Sequence, residues 1–397
     1  MPLRPRLSVP LAVLPLVLVA CQDPSGVGLG LVGEEGTNPN VVVVAADTVR
    51  VVEAESVTGG FASAALRTQV RVLVGHVEDD VLGDATAAAT FDVIPPAAVP
   101  GGFRSRVIRS AQLRLARDYV YGDSTTTLTL ELLSMDANWS PTGAPPDTTF
   151  DVGEVLGTFE RSARDTLLTF DLPASWVSEN DELLRSDSAA SAFDGFHLRL
   201  AEGSMTGAVV GLRMDRSALR LMTSQDTVDY PVHDVFTTLS RGAPTAPPPE
   251  NRLFLREGAS EAVALAFPID TLGQAALAGA TLRLNVDSTA LPMGSFVRPL
   301  IERLGLFGLT EDDERVLITS AVLDRETGTY SLTSRGLTAL LQDELLGDPP
   351  FVRYEVGPVA GAPLSLNVAP LVLGPPPAPG GRDPRPRLAL TLIPATN

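Results

Sequence analysis

Short runs in which every second residue is apolar recur along this chain from Val41 to Ile393. Leu113 and Leu115 alternate with Gln112 and Arg114; Leu128, Leu130 and Leu132 alternate with Thr129 and Glu131. A period of two places the two sets on opposite faces of a strand, so these runs predict half-buried sheets. Two stretches break the period. Trp176, Val177, Leu183 and Leu184 follow Pro173, and Leu337, Leu340, Leu341 and Leu345 recur at helical spacing. Each predicts one short helix, and a proline at a helix start loses no hydrogen bond.

The runs come in an order that occurs twice. Val70–Gly75 corresponds to Arg252–Arg256, Ala87–Ile94 to Val263–Ile269, and Ser110–Leu115 to Gly279–Leu284. Leu128–Leu133 then matches Arg298–Leu304, and the strands 165–172 and 329–332 each precede a helix. Each copy closes with two strands: Phe196–Leu200 and Ala218–Met222, against Phe351–Val356 and Arg387–Ile393. The pattern predicts an all-β fold of two tandem jelly-roll-like β-sandwiches, each with one short helix, over residues 41–240 and 251–397. A Pro-rich stretch at 241–250 separates them and reads as a semi-rigid linker.

The first forty residues follow a different rule. Arg4 and Arg6 precede an apolar run from Leu7 to Ala20, broken by Pro10 and Pro15. The run falls short of the roughly 20 residues a membrane span needs, and it fits a secretory signal. It ends in Leu18-Val19-Ala20-Cys21, and Cys21 is the only cysteine in the chain. This junction resembles the lipobox of bacterial lipoproteins. The resemblance implies cleavage after residue 20 and acylation of Cys21, so that acyl chains hold the protein to a membrane. Gln22 stands where a retention aspartate would keep such a protein in the inner membrane, which implies export to the outer membrane. Residues 21–40, rich in Gly, Asn and Pro, read as a flexible lipidated tether.

Composition narrows the chemistry. The 34 glycines and 33 prolines suit a loop-rich β protein. There is no lysine, which excludes Schiff-base chemistry and the lysine-bearing phosphate loop. The formal net charge is −18, and it becomes two units more negative once residues 1–20 are removed with their two arginines. A chain this acidic is not expected to bind nucleic acid through its phosphates. One thiol committed to lipid leaves no internal disulfide, so stability rests on buried apolar surface.

Several motifs carry a further resemblance. Ala111-Gln112-Leu113-Arg114-Leu115, Trp139 after Asp136-Ala137-Asn138, and Arg385-Pro386-Arg387-Leu388 are similar to marks of jelly-roll sandwiches akin to carbohydrate-binding modules. Ala46-Asp47-Thr48, Val74-Gly75, Leu82-Gly83-Asp84 and Tyr121-Gly122-Asp123 resemble a Bacteroidetes-type lipoprotein family known only as a domain of unknown function. The second copy lacks the tryptophan. The lipoprotein family carries no established activity to transfer.

No constellation dictates an enzyme. His76, His197 and His233 do not fall at metal-ligand spacing, and no Gly-x-Ser-x-Gly elbow is present. Asp79, Asp80, Asp312 and Asp313 sit in acidic clusters that offer oxygens to calcium; solvated turns are the other reading. Tyr119 and Tyr121, near Asp118 and Asp123, are the candidate platform for a sugar, with packing against a sheet as the alternative. No other cofactor is expected. The expected function is therefore a lipid-anchored, non-enzymatic binding or structural module of the bacterial envelope, for polysaccharide or another envelope component. A protein-binding subunit of an envelope assembly and a glycoside hydrolase with loop carboxylates are the rival classes.

Overall fold

The computed structural model describes residues 41–46, 48–52 and 59–63. From 71 to 393 it describes all but 138, 140–149, 187, 205–206, 248, 259–261, 273–274, 292–293, 360–363 and 375–384. The signal, Cys21 and the tether lie outside the described residues. The chain is predominantly β. Its strands are β1 (Val41–Ala45), β2 (Thr48–Val52), β3 (Gly59–Ser63), β4 (Arg71–Val77), β5 (Ala85–Val93), β6 (Ser110–Asp123), β7 (Thr127–Met135) and β8 (Val152–Ser162). Then come β9 (Leu167–Asp171), β10 (Phe196–Leu200), β11 (Ala208–Met222), β12 (Thr227–Arg241), β13 (Arg252–Arg256), β14 (Ala262–Ala266) and β15 (Leu277–Asn285). β16 (Phe296–Val297), β17 (Arg303–Leu309), β18 (Arg315–Val322), β19 (Thr329–Thr333), β20 (Arg353–Pro358), β21 (Val368–Val372) and β22 (Arg387–Leu392) complete the order.

The two expected helices are present. Ala174–Arg185 follows β9, and Arg335–Leu345 follows β19. Pro173 takes the N-cap of the first. Ser334 caps the second, its hydroxyl accepting from the Leu337 N–H at 3.0 Å.

The duplication seen in the sequence is a duplication of topology. In the first half β5, β10, β7 and β8 lie side by side; in the second β14, β20, β17 and β18 do the same. Likewise β9-β6-β11 corresponds to β19-β15-β22. All these pairs are antiparallel. Strand β11 pairs with β4 through residues 208–213 and with β12 through 218–222, the switch falling at an irregularity between Arg213 and Ala218. In the second half that one strand is split: β21 pairs with β13, and β22 continues with β15.

One boundary differs from the sequence expectation. The strand pattern places residues 41–52 in the first sandwich, yet β1 pairs with β22 and β2 with β14, both in the second. The first sandwich, whose earliest described strand is β3, is therefore inserted between β2 and β13 rather than placed in tandem. An isolated Val-rich run carries no mark of which distant strand it will join, because only the ladder itself decides register.

Each sandwich has its own core. Phe91, Leu113, Leu130, Phe170, Trp176, Phe196 and Leu219 belong to the first. Leu255, Val263, Leu282, Leu306, Tyr330, Leu337 and Leu390 belong to the second. Burying a side chain of this size stabilises by about 1.5–3 kcal/mol. A third cluster joins the halves: Leu73, Leu82, Tyr121 and Leu239 from one, Leu291, Leu366 and Val368 from the other. The two-residue strand β16 pairs with β6 across this junction. The linker is docked, not free. Gly242 N–H donates to Asp84 O at 2.7 Å, and the Thr245 and Ala246 N–H groups both donate to Asp80 O. Gly83 is required there, since at φ +81° a Cβ would lie 2.0 Å from Gly242 O.

Candidate functional site

The sequence candidates near β6 turn out to build the junction. Tyr119 is 7% exposed and Tyr121 fully buried, so neither ring offers a platform to a sugar. The Tyr119 hydroxyl accepts from Leu366 N–H at 2.9 Å, and the Tyr121 hydroxyl donates to Asp79 at 2.5 Å. Alternation placed both on one face correctly; the second sandwich covers that face. Asp118 accepts two hydrogen bonds of 2.8 Å from Arg71. Asp123 accepts from the N–H and hydroxyl of Thr125 and closes the β6–β7 turn.

The proposed calcium ligands are likewise separated. Asp79 accepts from Arg298 at 2.9 Å on each oxygen and from the Val81 and Leu82 N–H groups. Its carboxylate is thereby satisfied by protein donors alone. Asp80 accepts from the Thr245 hydroxyl. Asp312 and Asp313 lie exposed in the turn between β17 and β18. No group of three or more His, Cys, Asp or Glu placed to hold a metal occurs among the described residues.

A cleft lies elsewhere, at one end of the first sandwich. It encloses about 410 Å³ between the end of β7, the start of β8, the helix Ala174–Arg185 and the loop leading into β10. Its lining includes four carboxylates, Asp136, Glu154, Glu179 and Asp194, and no basic residue. Trp176 and Phe193 also line it, their rings edge-to-face at 6.1 Å. Trp176 is only 4% exposed and packs on Phe196 at 5.6 Å. Trp139 holds the loop from outside, its indole N–H donating to Asp194 O at 3.0 Å.

Local geometry explains the gathering of acids. Gly195 has φ +86°, and a Cβ there would lie 2.5 Å from Phe91 O. Only glycine lets this loop press against β5. Replacing Gly195 by Ala is expected to cost about 2 kcal/mol or more, since a left-handed backbone and a steric overlap both penalise the methyl. Urea unfolding reads that loss.

The close approach sets Asp194 beside Asp92 on β5. Strand β12 is irregular opposite that point, between Val232 (paired with Val93) and Val235 (paired with Phe91), so that His233 and Asp234 together stand against the single residue Asp92. Bulges of this kind re-aim side chains. Burial pushes the Asp92 carboxyl up to about 7, with Asp234 and Asp194 adding to the rise and the Val93 N–H opposing it. Nearby His197 shares a 2.9 Å hydrogen bond with Thr90, and burial pushes its pKa down to about 4, so it is neutral near pH 7.

The sign of the Asp92 effect is fixed. Its folded pKa lies above the unfolded value near 3.9, so the folded state holds the proton more tightly. Stability from this group is complete below about pH 4 and declines as pH rises to about 7. Asp92→Asn is expected to abolish that decline and to stabilise the protein at pH 8 by about 1–2 kcal/mol after allowance for solvent screening. Melting temperatures of both proteins at pH 4 and pH 8 check it.

These acids were not among the sequence candidates. Asp92, Asp136, Glu154, Glu179, Asp194 and Asp234 are scattered over more than a hundred positions, with nothing in the sequence that links them. Chemically, the cleft favours groups that donate hydrogen bonds or carry positive charge. No protein-family model matches the chain, and no curated protein matches it significantly.

Proposed function

We propose that this protein is a lipid-anchored component of the bacterial envelope that binds rather than transforms its ligand, and that the ligand sits in the cleft beside Trp176. The observation that carries the reading is the cleft itself: four carboxylates, two aromatic rings and no base around about 410 Å³. The ligand class this suits is a polysaccharide or other envelope component bearing amino groups. Carboxylates accept from ammonium and hydroxyl groups. The sequence Leu18-Val19-Ala20-Cys21 and the resemblance to lipoprotein signals support the anchor.

The test has two arms. Native protein analysed by mass spectrometry should carry acyl groups on Cys21; an unmodified thiol refutes the anchor. Calorimetry of residues 22–397 with soluble chitosan oligomers should show binding that weakens with salt. The double variant Glu154→Gln, Glu179→Gln should bind at least tenfold more weakly. Equal binding by the neutral, N-acetylated oligomer and by the variant refutes a charge-selective cleft.

One observation favours a second reading. Burial pushes the Asp92 carboxyl up to about 7, behind Asp194 of the cleft wall, and a carboxyl that keeps its proton is one of the two groups glycoside hydrolysis needs. Release of reducing ends from a polysaccharide, lost in Asp92→Asn, would select it.

A further inference from the structure

The duplicated topology exposes an exchange of strands. In the first sandwich β12 returns directly from β11 and seals both layers: residues 227–231 pair with β11, and 232–241 with β5. In the second sandwich β22 and β14 stand in those two places, and no strand continuing from β22 covers them among the described residues. Residues 41–52 do so instead. Val41 lies opposite Thr391 and Ala45 opposite Arg387, while Thr48 lies opposite Ala266 and Val52 opposite Ala262. At the switch Ala46 is buried, and its N–H donates to Pro386 O at 3.0 Å.

The strands beneath are composed as interior strands. Ala262, Val263, Ala264 and Leu265 are buried on β14, as are Leu388, Ala389 and Leu390 on β22. Uncovered, both would show unpaired backbone on an apolar edge, without the lysines that blunt free edges and with no proline inside either strand. Each sheet therefore requires a partner strand, and one segment supplies both.

We propose that the second sandwich is a strand acceptor, with residues 41–52 as its detachable donor. The site's ligand class is an extended, β-branched peptide that pairs with β22, crosses over, and pairs with β14. Affinity comes from the two main-chain ladders, as in strand addition generally. The donor sits twenty residues beyond Cys21, so any pull on that end bears first on β1. This inference does not depend on what the cleft binds.

A protease site placed within residues 53–58 of the otherwise intact chain tests it, cut after folding. The N-terminal piece should stay with the body through gel filtration. Incubated with a tenfold excess of fluorescent peptide 41–52, the cut protein should exchange its piece for label, one per chain. A peptide with Val42→Pro and Val43→Pro should exchange at least tenfold less. Successive N–H groups point to opposite sides, so one of the two prolines must remove a ladder donor. Immediate loss of the piece on cutting, retention without exchange, or equal labelling by the proline peptide overturns the proposal. Trp139 and Trp176 lie in the first sandwich, and their fluorescence reports separately that this sandwich stays folded, while a circular-dichroism spectrum unchanged on cutting reports the same for the whole.

Discussion

Replacing Arg298 by Met should destabilise the protein by about 3–5 kcal/mol, the usual loss when one partner of a buried ion pair is removed. The pair spans the junction: Asp79 comes from the loop after β4 in the first sandwich, and Arg298 from the loop after β16. Their side chains are 0% and 8% exposed. Without Arg298 the Asp79 carboxylate keeps only the Tyr121 hydroxyl and two backbone N–H groups. Asp79→Asn combined with Arg298→Met leaves no buried charge, and most of the loss should be recovered. Urea unfolding followed by circular dichroism measures all three proteins.

A pH signature separates this from a packing effect. Burial acts to raise the Asp79 pKa, but hydrogen bonds from Arg298 and Tyr121 and the charge of Arg298 hold it below the ordinary carboxylate value. A depressed folded pKa gives stability that is present above the unfolded value near 3.9 and lost as pH falls through the folded one. Wild type should therefore lose stability below about pH 4 from this group, and Arg298→Met should lose less there. An unchanged acid profile would show that Arg298 acts through its packing on Phe296, 4.0 Å from the ring centroid, and not through charge.

Phe196→Ala carries the second large effect, about 3–5 kcal/mol, as expected when a buried phenyl leaves a cavity. Phe196 is fully buried and touches three aromatic rings: Phe91 at 5.9 Å, Trp176 at 5.6 Å and Phe193 at 5.3 Å. Two of those rings line the cleft, so the loss should reach the ligand as well. Affinity for the amino-bearing oligomer should fall together with stability, and Trp176 emission should shift. Phe196→Leu, which keeps most of the volume, should restore both in large part. Full affinity in Phe196→Ala would mean that the ligand lies outside the cleft.

Much of this architecture was legible without coordinates. Leu113 and Leu115 had to face inward because Gln112 and Arg114 could not, and both leucines are buried. The helix around Trp176 and the one around Leu337 stand where the spacing changed. The repeated order of strands reappeared as a repeated sheet order, since alternation and turn residues act over a few positions at a time. The candidate site was not legible in the same way. Tyr119 and Tyr121 were correctly placed on one face, but what covers that face is Leu366 and Phe296, more than 170 residues away. Asp92 reads as an ordinary polar residue in β5; its pKa rises because of burial, a bulge in β12 and Asp194, none of them local.

The sequence alone determined the all-β class, the duplication, the two helices and the acidic character, because each follows from short-range periodicity or from counting. Tertiary structure alone decided three things. It sent residues 41–52 to the second sandwich, buried the tyrosines in the junction, and gathered four separate carboxylates around Trp176. All three depend on which distant backbone pairs with which. A ladder hydrogen bond is the same for every residue with an N–H, so the composition of a strand says that it will pair without saying with whom.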